Sequence, residues 1–357
     1  MKPTADQINY LNLGLMIISC LVAYVIPFEL FLFSYAVLGP LHYLTEISWL
    51  HDRGYFTGSA RTKSAPADSA QSGKRARVET YWLALVGLTL AVMLYGVIAE
   101  KVLHLKATPV WEIGAFYLVF VSAALFIFAR NAVAAAAVIV LTAIGLVLFS
   151  SSPYYGLIAF LLITIVHVFV FTAAFILFGA LKSKSRSGVL SLVVFGLCAA
   201  SFFVVVPDAF GPSAGTFVRS SYDSFTTLNA QLIRLFHLGP GSALGEIYES
   251  SAGLIVMRLI AFAYTYHYLN WFSKTSVIKW HEIPKSRTAV ILALWAASLA
   301  IYARSYELGF VVLYFLSVLH VMLEFPLNHQ TFIGIGKELR GLARPLQERT
   351  TARHRAT

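Results

Sequence analysis

Charge is scarce in this chain. Only 12% of its 357 residues are Asp, Glu, Lys or Arg, against about 25% in a soluble domain. Cysteine is scarcer still. Cys20 and Cys198 both lie in apolar runs, which argues against a disulfide framework, an iron–sulfur cluster or a Cys-rich metal site. No phosphate-binding Walker loop, dinucleotide-binding glycine turn or H-E-x-x-H zincin helix occurs, so the familiar soluble nucleotide-dependent and zinc-protease chemistries have no foothold. What abounds is apolar: 58% hydrophobic residues and a mean hydropathy of +0.74. That balance excludes disorder and collagen and indicates an integral membrane protein.

The sequence predicts an all-α, polytopic transmembrane bundle of about ten helices. A helix needs about 20 mostly apolar residues to cross the hydrocarbon, and ten such runs occur: 8–27, 28–50, 80–99, 111–129, 132–149, 155–181, 188–207, 252–272, 289–306 and 309–326. They are continuous, not alternating, which speaks for helices over a barrel. Basic residues orient the bundle. With the N-terminus and C-terminus cytoplasmic, 21 of the 27 Lys and Arg residues fall inside and 5 outside, Arg258 being within a span. The net charge of +10 is thus accounted for by a face held against anionic lipid, and nucleic acid is not needed as a partner. The expected setting is a multi-pass protein of a bacterial inner membrane.

Residues 1–336 form one transmembrane domain, and 337–357 a basic cytoplasmic tail. Loop 51–79, rich in Ser, Ala and Gly and ending in Lys-Arg-Ala-Arg, has the composition of a disordered cytoplasmic linker. Segment 208–251 is the one long outer loop. In it Phe225, Leu228, Leu232 and Leu235 recur at helical spacing before Gly239-Pro240, which predicts an amphipathic helix in the outer interface, covering the bundle.

Histidine carries the chemistry. Of ten histidines, four fall within spans: His42, His167, His267 and His320. Ionisable groups inside a membrane are rare and usually functional. Two belong to a repeated pattern, H-x3-E-x4-H. It reads His42, Glu46, His51 in one copy and His320, Glu324, His329 in the other. Residues i and i+4 share a helix face, so each His–Glu pair points at one centre. His51 and His329 lie past the expected helix ends and would have to fold back. At about 1.5 Å per residue, His42, His267 and His320 lie roughly 8–12 Å from their cytoplasmic helix ends, on one level. Pro40 removes a backbone hydrogen bond just before His42 and is expected to kink that helix.

Imidazole with carboxylate is a ligand set for iron, manganese or zinc. The metal-ligand candidates are His42, His167, His267 and His320, with His51 and His329 as additional ones. Glu46 and Glu324 are the candidate catalytic carboxylates, as ligands or as acceptors that orient the rings. Thr45, Tyr266 and Asn270 are further orienting candidates, and His281 lies in the loop after span 252–272, where it would cap the site.

The run Gly39-Pro40-Leu41-His42-Tyr43-Leu44-Thr45-Glu46 resembles the Brp/Blh family of membrane carotenoid dioxygenases, which has an early Pro-His element with an acid four residues on. That family also has a late histidine within an aromatic run, similar to Tyr264–Phe272 here. The resemblance implies a polytopic helical fold, histidine-ligated non-haem iron and a polyene substrate. It implies His42 and His267 as iron ligands, and His167 less directly. This chain departs from the pattern by the inserted Leu41, by Glu46 in place of Asp, and by one late histidine in place of two. Its His320/Glu324 pair has no counterpart there.

The function expected from these residues is a membrane-embedded metalloenzyme, a non-haem iron oxygenase that uses dioxygen on an apolar lipid, isoprenoid or carotenoid. The oxygenase class here takes in hydroxylase and desaturase chemistry. Zinc or haem are the alternative cofactors. Haem would make the chain an electron-transfer protein with paired axial histidines. A proton-coupled transporter with a His/Glu relay is the third possibility.

Overall fold

The computed structural model describes residues 4–53, 154–206, 214–241, 244–274 and 283–343, with single positions between 83 and 144. The expected spans 80–99, 111–129 and 132–149, the linker after residue 53 and His281 lie outside the described residues. Among the described residues every regular element is helical. Seven stretches are long and apolar enough to cross a membrane: Asp6–Val25, Pro27–Asp52, Leu162–Ser183, Arg186–Val204, Ser251–Ser273, Lys285–Arg304 and Tyr306–Leu342. Their outward faces carry large apolar side chains such as Ile18, Leu21, Leu197, Val290 and Val311, as a lipid-facing surface requires.

Helix α1 (Ala5–Val25) opens on a capping box between Thr4 and Gln7. Each side chain satisfies a backbone N–H of the other, which fixes where the helix begins. Helices α2 (Pro27–Phe33) and α3 (Gly39–Arg53) are joined through a π-helical segment, Ser34–Leu38. The expected kink at Pro40 thus takes the form of a local widening, which lets the helix absorb a residue that cannot donate. A second π segment, Leu162–Phe171, lies between α4 (Tyr154–Leu161) and α5 (Thr172–Ser183). Lys184, in the left-handed region, ends α5, and Ser185 caps α6 (Arg186–Val204). At that tight hairpin only glycine fits position 188, because a Cβ there would lie 2.8 Å from that of Ala180.

The described part of the segment expected in the outer interface, 214–249, is folded onto the bundle and is not one continuous helix. It consists of α7 (Thr216–Tyr222), a 3-10 turn at Asp223–Phe225, α8 (Thr226–Leu235) and α9 (Leu244–Glu249). The predicted stripe is partly realised: Phe225, Leu228 and Leu232 are buried, whereas Leu235 is exposed. The Phe225 ring packs edge-on against Phe31, Tyr35 and Phe310.

Helix α10 (Ser251–Ser273) is the axis of the bundle. It packs against α1, α2, α3, α6, α8, α9 and both π segments, and most of its side chains are buried. Helices α11 (Lys285–Arg304) and α12 (Tyr306–Ala343) close the bundle against α3 and α5. Helix α12 runs 38 residues with Pro326 inside it, or about 57 Å, well beyond a hydrocarbon core of about 30 Å. It is therefore longer than a single perpendicular crossing requires. His329 lies on this helix, and His51 on α3, so neither is past a helix end as the sequence led us to expect.

Candidate metal centre

Four helical elements each bring one histidine to a single buried point. His42 comes from α3, His167 from the second π segment, His267 from α10 and His320 from α12. All four are buried, as are Glu46 and Glu324. The rings form a closed circuit, with centroids 4.8 Å apart for His42 and His267, 4.9 Å for His267 and His167, 5.0 Å for His167 and His320, and 5.4 Å for His320 and His42.

The nitrogens face one another. The Nε2 atoms of His42 and His267 are 3.2 Å apart, and so are those of His320 and His167. His42, His267 and His320 together offer ring nitrogens within 4.8 Å of one another. Two nitrogens bonded to one ion at about 2.1 Å stand about 3.0–3.4 Å apart for bond angles near 90–110°, so the spacing within each of the two pairs fits a shared ion. Two of the outward nitrogens are held by the protein. Nδ1 of His267 is 2.8 Å from the Thr172 hydroxyl, and Nδ1 of His320 is 3.3 Å from the Leu316 carbonyl. Inward Nε2 and anchored Nδ1 is how proteins orient metal-binding imidazoles.

The two carboxylates are not equivalent. Glu46 Oε2 stands 3.0 Å from Nε2 of His42, on the convergent side of the ring. Glu324 turns away from its own helix partner and stands 3.0 Å from Nδ1 of His167, on the outward side. In the sequence both belong to the same H-x3-E pattern, and only the packing separates their roles. Glu46 Oε2, Glu324 Oε2 and the Nδ1 atoms of His42 and His167 are buried without a hydrogen bond of good geometry. Buried polar atoms left this way are costly. No Lys or Arg pairs with either carboxylate among the described residues. A divalent ion bound by the histidines would supply the missing positive charge.

Aromatic groups wall the outer side. Tyr43 stacks on His320 with centroids 4.2 Å apart, and its hydroxyl lies 2.8 Å from that of Tyr268. Gly39 makes room for this pair, since a Cβ there would approach the Tyr43 hydroxyl to 3.0 Å. Thr45 accepts a hydrogen bond from the Trp271 indole, so it holds the wall, not a histidine. Tyr266 and Asn270 pair with each other and with Asn12 and Ser273. Thr172, which anchors His267, was not singled out from the sequence. Its only signal there is a hydroxyl five residues after His167 in an otherwise apolar run.

His51 and His329 are not brought to this point. His51 is half-exposed beside Asp52. His329 engages the Phe325 carbonyl through Nδ1 and packs on Phe120.

A cavity of about 620 Å³ leads away from the cluster. Its deep end is lined by His42, Glu46, His267 and Glu324, and it reaches the exposed residues Lys182 and Ser183. Comparison of the chain with protein-family models, curated proteins and solved structures finds no match.

Proposed function

We propose that this chain is a membrane-embedded metalloenzyme, a non-haem iron oxygenase acting with dioxygen on an apolar lipid or isoprenoid. The observation that carries the proposal is electrostatic. Two carboxylates are buried among four histidines with no cationic side chain to meet them among the described residues, and a bound dication would supply what that arrangement lacks. When bound there, iron would contribute the capacity to bind and activate dioxygen. His42, His167, His267 and His320 would hold it, with Glu46 on the same side. Thr172 and the Leu316 carbonyl keep the rings of His267 and His320 turned inward, and Glu324 stands beside that of His167. The apolar helices exclude water and give an apolar chain a place beside the cluster.

The contact between His42–Tyr43 and His267–Tyr268 supports the Brp/Blh likeness, because it joins the two segments on which that likeness rests. It does not favour haem. Axial ligands approach an iron from opposite faces of a macrocycle, whereas here the nitrogens stand in two close pairs.

The test is metal content. Protein purified in detergent without chelator should hold about one iron per chain and show no Soret band. His42→Ala and His320→Ala should lose the metal while keeping helical content by circular dichroism. Full occupancy in both variants, or a metal-free wild type, would overturn the proposal.

A further inference from the structure

The cavity sorts charge along its length. Both carboxylates in its lining, Glu46 and Glu324, are at the histidine end, and both lysines, Lys182 and Lys274, are at the other. Between them the walls are mostly apolar, with Trp49, Phe175, Phe178, Trp271 and Leu327, and are interrupted by polar groups such as Asn12, Ser191, Tyr266 and Asn270. From His267 to Lys274 is seven residues of one helix, about 10 Å.

The lysines are placed to serve the cavity. Lys274 is partly buried just past the end of α10. It has no salt-bridge partner among the described residues, and loss of water around its ammonium pushes its pKa down to about 8. Lys182 folds back over the wall, its Nζ 5.7 Å from the centroid of Phe178. Phe178 is in turn wedged against α12, where a Cβ on Gly334 would come within 2.4 Å of the ring. An ammonium at an apolar mouth without a counter-ion is an unfavourable arrangement that an anionic ligand would relieve.

We propose that this cavity binds a long-chain amphiphile with an anionic head. The head, a carboxylate or a phosphate monoester, is held by Lys274 and Lys182. The chain lies along the aromatic walls, with carbons about 10 Å from the head beside the histidines. That these carbons are presented for chemistry rests on the metalloenzyme proposal above; the binding itself does not. A headless polyene would leave both lysines unused.

The test compares tritiated oleate, oleyl phosphate and neutral oleyl alcohol on the full chain in nanodiscs of zwitterionic lipid. An anionic probe should bind about tenfold more tightly than the alcohol, the worth of a charge-assisted contact. Whichever of oleate and oleyl phosphate binds better identifies the head. Acetate and inorganic phosphate, which carry charge without a chain, should not compete. The preference should vanish in the double variant Lys274→Met/Lys182→Met, survive in Lys274→Arg, and leave iron content unchanged throughout. Gly179→Leu should weaken all three probes, because Gly179 lines the cavity and a Cβ there meets nothing within 4 Å. The preference should also fall as pH rises through about 8, where Lys274 loses its proton. The other titratable groups facing the cavity are His42, Glu46, Lys182, Tyr266, His267 and Glu324.

Binding of neither oleate nor oleyl phosphate more tightly than oleyl alcohol by the wild type would overturn this proposal without any variant. So would a preference that persists in the double Met variant, or competition by acetate or phosphate as strong as by oleate. An oleate preference in a protein that binds no metal would leave this site standing and remove the oxygenase proposal. Metal without the preference would do the reverse.

Discussion

At the scale of single residues, Glu46 and Glu324 differ by which nitrogen they meet. Glu46 lies on the Nε2 side of His42, where the other ring nitrogens converge. Glu324 lies on the Nδ1 side of His167, whose Nε2 faces His320. A group that acts through a ligand is worth about 10–100-fold in metal affinity. Glu324→Gln and Thr172→Val should therefore each weaken iron binding by about that factor, read by competition with a chelator. Glu46→Gln removes a charge from the convergent side and should cost more than either. Equal effects of the two Glu→Gln changes would mean that the positional difference has no energetic meaning.

At the scale of elements, both π segments adjoin the cluster. Ser34–Leu38 ends four residues before His42, and Leu162–Phe171 contains His167. A π turn accommodates extra residues and re-aims the side chains around it, which is why such turns recur at functional sites. Removing one residue rotates the two flanking stretches of helix relative to each other by about 100°. Deleting Val170, whose side chain faces outward, should return the segment toward α geometry and turn His167 away from Thr172 and His267. The expected result is loss of metal with helical content retained. A deletion variant with full metal would show that the π geometry does not aim His167.

At the scale of the whole molecule, orientation decides which compartment the cavity meets. The excess of basic residues predicts that Lys182, Lys274 and the mouth face the cytoplasm. The two native cysteines are buried, so single reporter cysteines can be read cleanly. Ser183→Cys, at the mouth, should react with an impermeant maleimide only in inside-out vesicles. Phe217→Cys, exposed on α7, should react only in right-side-out ones. The opposite pattern would invert the bundle and place the mouth outside.

Much of this architecture is legible in the sequence, because burial in lipid makes one local quantity decisive. A helix must satisfy its own backbone and show apolar side chains outward, so hydropathy alone marks α1, α6, α10 and α11 to within a few residues. The four intramembrane histidines stand out for the same reason, since polar groups are expensive there. Helix ends are less legible. Helix α12 continues past the expected end at residue 326 to Ala343, and Gly334 in that extension packs against Phe178 of α5. What only the tertiary structure decided is who meets whom. The spacing pairs Glu324 with His320, yet packing of α12 on the second π segment gives it to His167. Thr172 became an anchor, and His51 and His329 fell away from the centre, through contacts between elements far apart in the chain. The cavity with its lysines exists only where α1, α3, α5, α6, α10 and α12 converge. Local chemistry determined that this chain crosses a membrane and carries a histidine–carboxylate site; the relative rotation of its helices, which no local pattern encodes, determined the site's geometry.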